Sequence, residues 1–201
     1  MIRPIAEPWW VNLLILVPLF AYAFWRRGRV PLALRQLTGS GVFSAAFGIV
    51  EGIVVVYLRA AAGLLPGSRF SGEFLPSPQD IVPRGLLAFE MVREAATIIM
   101  LIGVAFLSAD TPKARGAIFL WMFAIWDMLY YATLRATIGW PLSLSDPDVL
   151  FLIPVPWYSP VWFPLLVSAL AIAAVLLARE ARIDPIRGPN DPGRALHFRK
   201  D

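Results

Sequence analysis

The sequence predicts an all-α, polytopic integral membrane protein with five transmembrane helices, and three observations carry that prediction. First, hydrophobic residues are 58% of the chain and charged residues only 16%, against about 45–50% and about 25% in soluble domains. Mean hydropathy is +0.66, so much of the side-chain surface needs lipid as its solvent. Second, polar breaks divide the 201 residues into five apolar runs, each roughly the 20 residues that cross a bilayer. Third, basic residues crowd alternate breaks, the pattern that orients spans in a membrane.

The first span, about 9–25, has Trp9, Trp10 and Trp25 as interfacial anchors, an expected kink at Pro18, and Arg26-Arg27-Gly28-Arg29 as its stop. Ala21-Tyr22-Ala23 resembles a signal-peptidase site, but Arg3 alone makes a weak n-region, and an uncleaved span fits the charge pattern better. The second span, about 40–62, opens on the cap chemistry of Thr38-Gly39-Ser40, and the third, about 84–108, follows Pro83. Asp110-Thr111-Pro112 supplies a cap and a first-turn proline for the fourth, about 112–139, which stops at Gly139-Trp140-Pro141. Ser145-Asp146-Pro147-Asp148 caps a short helix near 147–153. That piece is too brief to cross, and Pro154 and Pro156 beside it suggest a re-entrant or interfacial segment. Ser159-Pro160 opens the fifth span, about 160–179, which has no ionisable residue before Arg179 and reads as scaffold. Residues 1–180 then form a single helical bundle, and 181–201 a flexible, basic cytoplasmic tail.

Orientation follows from the basic residues. Arg26, Arg27, Arg29, Arg35, Lys113, Arg115 and six more from Arg179 to Lys200 fall on one side, against Arg3, Arg69 and Arg84 on the other. The positive-inside rule places the N-terminus outside and the C-terminus in the cytoplasm, as in a multi-pass protein of the plasma (inner) membrane. Ser40, Ser44, Gly48 and Gly52 recur every four residues on the second span. Such a stripe lets a helix approach closely, either within the chain, the preferred reading, or as the seam of a homo-oligomer.

Seven charges remain inside the spans: Glu51 and Arg59 on the second, Glu90, Arg93 and Glu94 on the third, Asp127 and Arg135 on the fourth. Intramembrane charge is costly, faces a protein interior or a wet cavity, and marks a functional site by default. Glu90, Arg93, Glu94 and Thr97 fall at i, i+3, i+4 and i+7 on one face; Asp127, Tyr131 and Arg135 form another stripe. Helical rise puts Glu51 and Asp127 within roughly 2–3 Å of the midplane, Arg93 and Glu94 about 5 Å outward, and Glu90, Arg59 and Arg135 roughly 10–14 Å outward. The expected geometry is a polar funnel between spans two, three and four, open outward beneath the loops at 63–85 and 140–159.

The expected ligand-binding set is therefore Glu51, Arg59, Glu90, Arg93, Glu94, Asp127, Tyr131 and Arg135, taking a small polar ligand, an ion or a lipid head group. Glu94, Asp127 and Glu51 are the candidates for acid or base work if the protein is a membrane-embedded enzyme acting on a lipid-like substrate. Glu51, Glu90, Glu94 and Asp127 offer an all-oxygen set to a divalent metal such as magnesium, calcium or manganese, though three arginines compete with it. A third reading makes the charges a packing device, with Arg93 as the cation between Glu90 and Glu94. Absence of cysteine removes disulfides, thiol nucleophiles and iron–sulfur clusters; one histidine, His197 in the tail, leaves no intramembrane haem ligand or serine–histidine triad. No cofactor is predicted, and no glycine-rich phosphate loop or nucleic-acid signature is present.

Overall fold

A computed structural model describes residues 5–61, 87–150 and 156–181. Arg3, Arg69, Arg84, the whole 63–85 loop, residues 151–155 and the tail with His197 lie outside the described residues.

A 3-10 segment, Trp9–Ile15, leads into α1, Leu16–Trp25. Asn12 explains the irregular start: its amide accepts the N–H of Ile5 and Ala6 and donates to the carbonyls of Ala6 and Trp9. A short polar side chain thus competes with the helical ladder. Pro18 falls in the first turn of α1, just past the change from 3-10 to α-helix, where a missing N–H is tolerated. Strand β1, Val30–Leu32, then precedes α2, Leu34–Ala61.

Helix α2 begins six residues before the expected start at 40. Thr38 and Ser40 do not cap it; their hydroxyls donate back to the carbonyls of Leu34 and Gln36 from inside the helix. Gln36 does the capping instead, accepting the Ala33 N–H at 2.9 Å through its side chain, half of a capping box. Helix α3, Leu87–Ser108, and α4, Pro112–Ile138, follow. At the start of α4 the Thr111 hydroxyl accepts the Ala114 N–H at 3.2 Å with Pro112 behind it, and Gly139 ends the helix at φ 73°, a left-handed angle that suits glycine.

The segment expected as a short helix near 147–153 is instead strand β2, Pro147–Leu150, paired antiparallel with β3, Trp157–Pro160. Asp146, the expected cap, is spent backwards: its Oδ2 accepts the N–H of Leu142 and Ser143. Val149, Trp157 and Tyr158 favour the strand, and Pro147 and Pro160 sit at its ends, where no ladder donor is needed. Helix α5, Trp162–Ala178, follows, starting past Ser159-Pro160 because those residues belong to β3. Strand β4, Arg179–Ala181, closes the described chain by pairing in parallel with β1.

Helix α4 is the centre of the bundle, packed against α2, α3 and α5, while α1 lies along α5. The α2 stripe makes the closest contact. A Cβ at Gly48 would lie 2.5 Å from the Trp126 carbonyl oxygen, and one at Gly52 2.8 Å from Thr133. Ser40 and Ser44 are buried on the same face, and the Trp121 indole donates to the Leu37 carbonyl across the seam at 2.9 Å. This face therefore packs against α4 of the same chain.

Helices α2, α3 from Ala88, and α4 are long and apolar enough to cross a membrane; Trp9–Trp25 and Trp162–Ala178 are shorter apolar helices. Leu107, Phe89, Val92 and Ile99 of α3 are largely exposed, a belt that water would not tolerate and lipid does. The two ends of the bundle are tied separately. At one, Glu7 bridges Tyr158 of the hairpin. At the other, β1 pairs with β4, Gln36 donates to the Ser108 carbonyl, and Lys113 lies over the Phe24 ring.

Candidate functional site

Near the hairpin end, α2, α3, α4, α5 and the hairpin, with Leu14 of the 3-10 segment, line a partly open cavity of about 90 Å³. Its position follows from the charged positions of three helices. On α3 the i, i+3 spacing brings Glu90 beside Arg93, whose Nε lies 3.0 Å from each Glu90 oxygen and whose other nitrogen reaches Glu90 at 2.6 Å and Glu94 at 2.9 Å. From α2, Glu51 joins the same guanidinium. Arg93 thus holds three carboxylates of which Glu51 and Glu90 are buried. Glu94 keeps one oxygen, Oε2, buried and without a partner among the described residues.

Across the cavity, Asp127 of α4 is buried and accepts a hydrogen bond from Ser168 of α5 at 2.8 Å. Toward the hairpin, Asp148 of β2 is buried, accepts from the Tyr131 hydroxyl at 2.8 Å, and lies 3.9 Å from the Arg59 guanidinium. Burial pushes the Asp148 carboxyl above the ordinary aspartate range, while Arg59 and the Tyr131 hydrogen bond pull the other way. Arg59 also sits 4.1 Å over the Trp140 ring. The remaining wall is apolar and aromatic: Phe123, Trp126 and Tyr130 from α4, Trp157 from β3, Phe163 and Val167 from α5.

Of the expected set, Glu51, Arg59, Glu90, Arg93, Glu94 and Asp127 all line this cavity. Two residues do not. Arg135 is exposed because its guanidinium turns back to the Gly139 carbonyl at the helix end. Tyr131 is buried behind the wall on Asp148, and its neighbour Tyr130 faces the cavity. Among the described residues no group of three or more acids could hold a metal ion. Glu51, Glu90 and Glu94 converge on Arg93, so a guanidinium stands at their meeting point, and Asp127 is directed to Ser168.

The hairpin and α5 supply what the sequence reading missed. Asp148 was legible as a helix cap and, with Trp157, as part of the loop expected over the funnel mouth, an interfacial anchor or a lid, but neither was expected as a lining residue. Ser168 was one of several small positions on a span read as scaffold, yet it is the hydrogen-bond donor to Asp127. A lone serine on an otherwise apolar span was the one available signal.

Comparison with known proteins found no matching family model, no matching curated protein and no matching solved structure. The site therefore has to be read from its own chemistry.

Proposed function

We propose that this chain crosses the membrane five times, N-terminus outside and C-terminus cytoplasmic, and that its cavity is an outward-facing pocket for a small polar ligand, an ion or a lipid head group. The observation that carries the reading is the lining itself. Five carboxylates, Glu51, Glu90, Glu94, Asp127 and Asp148, face two guanidiniums, Arg59 and Arg93, around a space that side chains do not fill. Two like charges 4 Å apart repel by about 4 kcal/mol at an effective dielectric near 20. An excess of that kind calls for a proton or a bound partner. The topology is supported by the end that β1 and β4 tie together, which gathers Arg26, Arg27, Arg29, Lys113, Arg115 and Arg179. The loop at 140–159 would then cover the outer mouth as a lid, with Asp148, Val149, Leu150 and Trp157 in the cavity wall supporting that role.

Native mass spectrometry of the protein extracted with its own lipids tests the pocket. Wild type is expected to carry a stoichiometric small molecule or lipid that Val55→Trp, which fills the cavity, loses while remaining folded. Identical adducts in both proteins would remove the ligand reading. The saturation of Arg93 by three glutamates favours a second reading, in which the cluster only fixes helix register. Under that reading Glu94→Gln and Asp127→Asn change thermal stability and nothing else.

A further inference from the structure

We infer that the pocket is selective for a ligand carrying a cationic nitrogen with an oxygen acceptor next to it, the chemistry of an amino alcohol, either free or as a phospholipid head group. The inference rests on the pocket reading above and adds the ligand class. Both guanidiniums of the lining are already engaged, Arg93 by three glutamates and Arg59 by Asp148 and the Trp140 ring. The carboxylates are not all engaged. Asp127 forms no ion pair among the described residues, and Glu94 Oε2 is buried without a partner. An anion would meet this excess unfavourably; an ammonium would neutralise it.

Aromatic walls sharpen the class. Trp126, Tyr130, Trp157 and Phe163 surround the same space, and ring faces attract an organic cation in a desolvated site. A bare divalent metal gains nothing from such rings and needs oxygens that here turn to Arg93. The acceptor follows from two further atoms. Trp126 and Trp157 are 6% and 1% exposed, both line the cavity, and neither indole N–H has a partner among the described residues. An indole nitrogen donates and cannot accept, so a cation alone leaves both donors unpaired. A hydroxyl or ester oxygen beside the ammonium answers both demands within a cavity of about 90 Å³.

Tryptophan fluorescence reports on this wall directly. The full chain, in nanodiscs of phosphatidylglycerol, is titrated with ethanolamine, with ethylene glycol as its neutral isostere and with glycolate as its anionic one. Ethanolamine is expected to give a saturable change, weakened at least tenfold in Asp127→Asn and in Glu94→Gln, with little response to the other two. Val167→Phe, which occupies the cavity and removes no charge, is expected to abolish it, and it decides the matter if either carboxylate variant misfolds. Nanodiscs doped with phosphatidylethanolamine distinguish the sources: a head-group ligand gives the change from the lipid at far lower concentration than from free ethanolamine. Equal binding of ethylene glycol or glycolate at the same wall overturns the ammonium class and leaves the pocket reading standing. No response to ethanolamine or to the doped lipid also overturns the ammonium class, while the pocket reading is decided by the comparison of wild type with Val55→Trp.

Discussion

Arg93 presents one guanidinium to carboxylates from two helices, so its removal strands three acids at once. Breaking a buried ion pair from one side costs about 3–5 kcal/mol, and since the Arg93 side chain is 24% exposed, Arg93→Met is expected near the lower end, roughly 3 kcal/mol. Glu94→Gln keeps an oxygen toward Arg93 and is expected to cost under about 1.5 kcal/mol. Unfolding of the two variants in the same detergent checks the order; a Glu94→Gln cost equal to that of Arg93→Met would contradict the picture of one cation organising three acids. At this scale the sequence was informative where groups share a helix. Glu90, Arg93 and Glu94 meet because helical spacing alone brings them together. Arg135 shares a stripe with Asp127 by the same spacing, yet the helix ends three residues later, and the carbonyl of the capping Gly139 draws its side chain out of line.

Among elements, the α2–α4 seam and the hairpin make separate predictions. Gly48→Ala is expected to cost about 1–3 kcal/mol through overpacking, since the added methyl would meet the Trp126 carbonyl and the Leu129 side chain. Gly39→Ala and Gly103→Ala have nothing within 4 Å of the new atom and are expected to be neutral or stabilising by up to about 1 kcal/mol. Thermal midpoints of the three variants make the comparison. The hairpin is expected to respond to pH through Asp148, which faces Arg59 from α2 and Tyr131 from α4, with Glu94, Asp127 and Tyr130 nearby. Its carboxyl is held above the ordinary aspartate value when docked. Docking is therefore strongest below about pH 3.9, the ordinary value, and weakens as pH rises through the elevated one. A cysteine at the buried position Ser159, labelled relative to one at the exposed position Ser145, is expected to become more reactive as pH rises, and Asp148→Asn to remove that trend. A trend of the opposite sign would refute the role of Asp148.

For the whole molecule the decisive test is sidedness. The chain has no cysteine, so single replacements report without background. Ser145→Cys is expected to react with an impermeant maleimide in intact cells, and Arg26→Cys only after permeabilisation; the reverse pattern would invert the bundle. The class of the protein was legible because it depends on sums over the chain: apolar content and hydropathy. The helix limits around 112 and 139 were legible because Thr111, Pro112 and Gly139 act within one turn of themselves. The start of α2 was not, because the same serine and threonine chemistry can serve a cap or the interior, and only the Gln36 side chain decided between them.

By itself, then, the sequence determined an apolar helical chain with seven charges inside its long apolar runs, since composition and periodicity are local properties. Tertiary structure alone decided which of those charges meet. Glu51 reaches Arg93 across 42 positions and Ser168 reaches Asp127 across 41, and the hairpin brings Asp148 over the cavity. Helical spacing fixes the side of a helix on which a residue lies; the rotation of each helix against its neighbours fixes what it touches. Between α2 and α4 the closest approach is at Gly48 and Gly52, where a Cβ would meet Trp126 and Thr133.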